Sequence, residues 1–288
     1  MFEKAQKDQK GQKEPQHYRS ATNMPTLNYK VHCMGALEKA ACFSIGFIIG
    51  AAVGYLFYGG IGKDEFGKGT AATFLLNILF SGSSGTAAGL YSIRVRANQV
   101  VSKRWRKLSL QFRDMLEALN ASIVAGMNIP DSFAFAYKDL LLQYEEDDFI
   151  INELQVILSG MANNVNIEEL LFDFGQRSGI DDIASFANVF QVCYRKGANI
   201  KDTIRAAHEI LSDKIEIRDE IETIVTANKM EQNIMSVMPV LLIGLIKFMS
   251  SDFASNFASP TGIFSTTVAV ALFVAAHFIG KSVLSIKI

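Results

Sequence analysis

The chain has 288 residues, 49% of them hydrophobic and 20% charged, with a formal net charge of -1 at pH 7, and its mean hydropathy is +0.19. That hydropathy is high for a soluble protein and low for one built only of spans, so a chain with both membrane and water-facing parts is expected. The balanced charge excludes a general basic field for nucleic acid, and Cys33, Cys42 and Cys193 are too few and too scattered for a disulfide frame or a metal cluster.

Only 5 prolines occur and no stretch alternates like a strand, so the chain reads as all-α. Residues 1–39 begin with a Gln-, Lys- and Glu-rich run and read as a disordered cytosolic tail. No apolar run follows the first basic residues, so no cleaved signal peptide is expected. Residues 40–93 read as two transmembrane helices. In the first, Gly46, Gly50 and Gly54 recur every four residues and form one small-residue stripe. In the second, Ser81, Gly85 and Gly89 form another, so the two helices can approach closely in lipid, where packing drives association. The loop between them carries Gly62-Lys-Asp-Glu-Phe-Gly67-Lys68-Gly69, a near match to a phosphate-binding P-loop. Gly69 stands where the magnesium-binding hydroxyl belongs, Asp64 and Glu65 would face the phosphates, and a helix precedes the loop instead of a strand. No nucleotide site and no cofactor is expected.

Arg94, Arg96, Lys103, Arg104, Arg106 and Lys107 crowd the exit of the second span, as at the cytosolic end of a membrane helix. Residues 94–233 then read as a cytosolic helical bundle. Trp105, Leu108, Phe112, Met115, Leu119 and Ile123 make one helical stripe, and Phe133, Tyr137, Leu140 and Tyr144 the next. Further stripes follow at Ile150, Leu154, Ile157 and Met161, at Ile167, Leu170, Leu171 and Phe174, and at Ile183, Phe186, Ala187 and Phe190. Aromatic residues at this spacing are core residues. Three helix starts share one pattern: Asn128 with Asp131, Asn166 with Glu169, and Asn199 with Asp202. In each, the Asn is expected to cap free N–H groups while the carboxylate reaches back. Gly126 and Gly197 precede two of them, as left-handed helix ends. Glu145-Glu-Asp-Asp148 reads as a solvated turn whose acids favour the following helix N-terminus.

From Asn199 to Met249 an amphipathic pattern runs into an apolar one. Ile200, Ile204, Ala207, Leu211, Ile217, Ile221, Ile224 and Asn228 are read as one face, and after Pro239 the polar face disappears. A third span ends near Lys247, whose amine can snorkel outward. Residues 234–288 thus hold two transmembrane helices, the fourth covering about Ile263 to Val283, and a short cytosolic C-terminus. His277 in the fourth span reads as a helix-contact residue. The basic residues place both termini and the helical domain in the cytosol.

Two spans, a basic exit, a helical domain with repeated Asn-Ile helix starts and two more spans resemble the F family of type II secretion and type IV pilus platform proteins. More narrowly the chain looks like the TadB branch of tight-adherence (Flp) pilus machines. The resemblance rests on Phe112-Arg-Asp-Met-Leu-Glu-Ala-Leu119, Arg177-Ser178 with Asp181-Asp182, Phe186 with Phe190, and Lys196-Gly197-Ala-Asn199. It continues through Asp213-Lys-Ile-Glu-Ile217 with Glu220-Ile221, and Met230-Glu-Gln232 with Ile234-Met235 and Pro239. It covers residues from about Arg104 to the C-terminus; the tail and the first two spans match in layout only. Ala198 stands where many relatives carry a second Gly. The resemblance implies a multi-pass protein of the bacterial cytoplasmic (inner) membrane, surrounded by lipid. It would couple a cytosolic secretion ATPase (TadA-like) to the extraction of prepilins or pilins and to filament assembly. Its partners would be a second copy of the chain or a TadC-like protein, with no nucleic acid. Candidates for partner contact among the matching region are Arg177, Asp181, Asp182, Glu220, Glu231 and Gln232. The family implies no catalytic residues, and the residues themselves show no convergent polar constellation, so no enzyme is expected. The alternative is a small membrane transporter or channel subunit with a cytosolic regulatory domain.

Overall fold

A computed structural model describes residues 17–19, 25–31, 34–59, 71–197, 199–249 and 259–284. These residues are mostly helical. Two short strands, β1 (His17–Arg19) and β2 (Pro25–Leu27), precede α1 (Ala36–Tyr58), α2 (Ala71–Val124), α3 (Ile129–Leu140) and α4 (Phe149–Ala162). There follow α5 (Ile167–Ser178), α6 (Asp181–Lys196), α7 (Ile200–Met249) and α8 (Pro260–Leu284). The chain divides into two compact units. The first comprises Met1–Cys33 and Ala97–Ile217, the second Met34–Arg96 and Arg218–Ile288. The first unit therefore closes earlier than the expected boundary at residue 233, within α7.

The core of the first unit is built from the helical stripes. Leu108, Phe112, Met115 and Leu119 of α2, Phe133 and Leu140 of α3, and Ile150, Leu154 and Ile157 of α4 are buried. Leu170, Leu171 and Phe174 of α5 join Ile183, Phe186, Ala187 and Phe190 of α6. Phe112 meets Phe174 and Phe186 edge-on at ring separations of 6.1 and 5.5 Å, the arrangement that aromatic quadrupoles favour. Close approach of α5 to α6 depends on Gly175, where an added Cβ would lie 3.0 Å from the Ala184 Cα. Gly179 and Gly197, with φ of +68° and +66°, end α5 and α6 in the left-handed conformation that spares glycine a Cβ clash.

Two expectations are corrected in this unit. Part of the predicted disordered tail is folded. The two strands pair antiparallel, with Tyr18 opposite Thr26, and Asn28 and Tyr29 are buried in the core. A composition window dilutes Tyr29, an aromatic anchor set in a largely polar run. The predicted apolar face of α7 also bends off course. Ile204 and Leu211 are buried and Ala207 packs against them, but the face continues through Ile215, one turn beyond Leu211. Ile217 and Ile224 are exposed, as the 200° offset between Leu211-plus-four and Leu211-plus-six requires.

The second unit consists of α1, the beginning of α2, the later part of α7, and α8. Among the described residues, three helices are long and apolar enough to cross a membrane: Ala36–Tyr58, a window within Ile200–Met249, and Thr261–Gly280. The remaining predicted span, at the start of α2, falls outside that set because Asn77 and the run from Ser81 to Gly85 dilute its apolar content. The outward surfaces carry large apolar side chains, among them Ile48, Leu79, Leu241 and Leu272. A surface so apolar belongs in hydrocarbon.

Candidate functional site

In the first unit α2, α6 and α7 leave a groove of about 460 Å³. Its floor is Phe112, Phe186 and Leu211, and Val189 and Ile210 stand exposed on its walls. Two carboxylates enter it. Asp182, in the first turn of α6, receives two hydrogen bonds from the Lys214 amine at 2.8 and 2.9 Å. Asp202, in the first turn of α7, accepts from the Asn199 amide. Both lie where a helix N-terminus favours negative charge. The groove is thus an apolar trough whose rim carries Asp202 and the Asp182–Lys214 ion pair, a form suited to an amphipathic helix.

Of the six candidate contact residues, Asp181 is exposed beside this groove and Asp182 lines it. Arg177 is not a surface residue, and its assignment to a partner interface is corrected. It is 4% exposed, and its Nη1 and Nη2 donate to the two oxygens of Glu153 at 2.8 and 2.7 Å. Its Nε donates to Asp173 at 2.7 Å and its Nη1 also to the Leu27 carbonyl at 3.3 Å. Burial alone would lower the Arg177 pKa, but the hydrogen bonds and charges of Glu153 and Asp173 outweigh it and raise the value. The Tyr29 hydroxyl donates to Glu153 at 2.8 Å, and its backbone N–H to the Arg177 carbonyl at 3.1 Å. Burial, and then the charge and hydrogen bond of Glu153, raise the Tyr29 phenol well above its ordinary value. This buried network ties the N-terminal segment to α4 and α5. Sequence reading missed it, since Tyr29 and Glu153 lie 124 residues apart.

Glu220 and Glu231 are exposed in the second unit, where Gln232 packs beside Gly280 and donates to the His277 carbonyl at 3.5 Å. His277 Nδ1 lies 3.2 Å from the Ser236 hydroxyl, so this histidine joins α7 to α8. The Lys247 amine donates to the carbonyls of Leu56 and Phe57 at 2.6 and 3.5 Å, at the end of α1. A cation at a helix C-terminus is favourable there. This contact replaces the outward snorkelling expected of Lys247.

The glycine stripes are brought together. A Cβ on Gly46 would lie 2.7 Å from the Ser92 hydroxyl, and one on Gly50 2.5 Å from the Ala88 Cβ. Gly54 faces Ser81 and Ser84, while Gly85 and Gly89 lie under Phe47 and Phe43. Ser84 and Ser92 donate across the interface to the carbonyls of Gly50 and Cys42, at 2.9 and 2.8 Å. The pairing is within one chain.

At the repeated helix starts, Asn128 caps as expected, accepting from the Asp131 N–H at 2.9 Å. Asn166 and Asn199 do not. Their amides donate to the carboxylates of Glu169 and Asp202, so the pair closes side chain to side chain. Gly126 has a φ of +92°. Asp148 pairs with Lys107, whose amine lies 5.7 Å above the Phe149 ring. No group of three or more metal-ligating side chains occurs among the described residues. The near-P-loop from Gly62 to Gly69, Cys33 and Ala198 lie outside the described residues. In comparisons with known proteins, no family model matches the chain, and no curated protein or solved structure matches it.

Proposed function

We propose that the chain is an inner-membrane platform protein of a Tad/Flp pilus or a type II secretion-like machine, coupling a cytosolic ATPase to pilin extraction and filament assembly. One observation carries the reading. Helix α7 forms a wall of the apolar groove with its first turns and holds a membrane-length apolar window further along. On this reading α1, the start of α2, the end of α7, and α8 are four spans. The glycine and serine contacts of α1 compensate for the lower apolar content of the α2 segment, because its polar hydroxyls are spent on backbone carbonyls instead of facing lipid. The basic run from Arg94 to Lys107 supports a cytosolic position for the first unit. The groove is then the place for an amphipathic helix of a cytosolic partner. A transporter reading leaves this groove without a role.

The test is purification of the full chain in detergent from its native cells, probing for a secretion ATPase and a second F-family protein. Both should co-purify, and Ile210→Asp in the groove should reduce the ATPase at least fivefold while leaving the second membrane protein. Solute movement by the pure protein in liposomes, with no ATPase retained, would overturn the reading.

A further inference from the structure

The second unit holds a half-open cleft of about 630 Å³, to which all four of its helices contribute: Val53 and Phe57 of α1, Phe80 of α2, Val240 and Ile243 of α7, and Phe273 of α8. On each helix the lining residues recur at three- or four-residue spacing, so the space runs along the helices. Its walls are almost wholly hydrocarbon. The hydroxyls that reach it are already engaged. Ser83 donates to the Phe80 carbonyl at 3.0 Å, Ser84 to the Gly50 carbonyl at 2.9 Å, and the Tyr58 hydroxyl lies 3.2 Å from that of Thr267. Water needs two to four polar partners to be held, and this space provides few. Pro239, also on the wall, removes a backbone donor and keeps α7 from continuing as a regular ladder at this level.

We propose that this space is a binding site for the acyl chain of a membrane lipid. A cleft of this size, apolar on every wall and open on one side, is filled by whatever apolar medium surrounds the helices. The occupant must be apolar, and the apolar outer faces of the same helices place hydrocarbon chains next to it at solvent concentration. The lining contains no Lys, Arg, His, Asp, Glu, Asn or Gln, so recognition is of the chain and not of the headgroup. The proposal needs only that the second unit lies in a bilayer; it is independent of the platform assignment.

The experiment uses the full chain reconstituted separately in phosphatidylcholine and in phosphatidylglycerol bilayers, with a photoactivatable diazirine midway along one acyl chain. After irradiation, labelled residues are mapped by peptide mass spectrometry. Label is expected on Phe57, Phe80 and Ile243 as well as on outward Leu241, equally with both headgroups. Val240→Trp, or Val270→Phe should the larger residue prevent reconstitution, fills the space. Either should cut cavity label at least fivefold and leave label at Leu241 unchanged. Label confined to Leu241, cavity label unaffected by both fillings, or cavity label with one headgroup only would overturn the proposal. So would benzoylphenylalanine at position 243 crosslinking in cells to another protein, which would make the occupant a partner's apolar helix.

Discussion

Arg177 shows how far a single residue can depart from its appearance in a sequence. A charged side chain beside Ser178 and ahead of two aspartates reads as surface, yet it is the centre of a buried ion pair. Removing one member of such a pair leaves an uncompensated buried charge, which costs about 3–5 kcal/mol, whereas replacing both by apolar residues is often close to neutral. Arg177→Met should therefore lower the stability of the first unit by about 3–5 kcal/mol, and Arg177→Met with Glu153→Leu should recover part of it, Asp173 and the Tyr29 hydroxyl still lacking their partners. Denaturant melts of the two variants check this, and a double variant no better than the single would deny the pair its role. Tyr29 adds a pH signature. Its folded pKa is raised, so its contribution is fully present below the unfolded value near 10.0 and is lost as pH rises through the folded value. Thermal stability should hold to about pH 9 and fall above about pH 10. Tyr29→Phe should start lower at neutral pH and fall less steeply in the alkaline range. Tyr144 is shifted the same way, by burial and then by its hydrogen bond to Asp114, so the comparison is cleanest in a Tyr144→Phe background.

Helix ends, more than helix faces, carry predictions at the scale of the element. Gly197 and Gly179 share a left-handed conformation, but a Cβ meets open space at Gly197, while at Gly179 it would lie 2.6 Å from the Lys30 Cγ and 3.3 Å from Trp105. Gly197→Ala should cost roughly 1–2 kcal/mol for the backbone alone, and Gly179→Ala visibly more in the same melt. Equal losses would mean that the N-terminal segment gives way freely. In the second unit, Gly50→Leu would drive a side chain into Ala88 and the Ser84 carbonyl. A short bismaleimide should join Cys42 to Ser92→Cys in the otherwise unchanged chain, and Gly50→Leu should abolish that crosslink while leaving the first unit's melt intact. These contacts also mark what was legible. The stripes at Leu108–Leu119, Leu170–Phe174 and Ile183–Phe190 are read directly, because helical period and burial coincide there. The facing of Gly46, Gly50 and Gly54 with Ser81 and Gly85 is read from spacing, but Ser84, Ala88 and Ser92 are not, since a hydroxyl's partner is invisible before the helices meet. The groove was illegible for a related reason. Val189 and Ile210 look like ordinary apolar residues, and only the placement of α6 beside α7 shows that nothing covers them.

Across the whole molecule, two helices belong to both units: α2 contributes residues up to Arg96 to the second unit and the rest to the first, and α7 contributes residues up to Ile217 to the first and the remainder to the second. If partner binding at the groove is to influence the membrane part, α7, which supplies most of one groove wall, is one of these two continuous helical connections. Thr223 offers a place to interrupt it. It is exposed, lies beyond the core of the first unit, and its hydroxyl only returns a hydrogen bond to the Asp219 carbonyl at 2.8 Å. Proline there removes a backbone donor and clashes with the preceding turn, kinking the helix at a cost of about 3 kcal/mol. Neither the aromatic core around Phe112 nor the glycine contacts between α1 and α2 involve that turn, so both units should still form. On the proposed platform function, Thr223→Pro should thus leave protein level, membrane fractionation and ATPase co-purification near those of the unchanged chain while filament assembly fails. Thr223→Ala, which keeps the helix and removes only the hydroxyl, should assemble filaments normally. Filaments at unchanged abundance in Thr223→Pro cells would show that α7 need not be continuous for the two units to work together, and coupling would then have to run through α2.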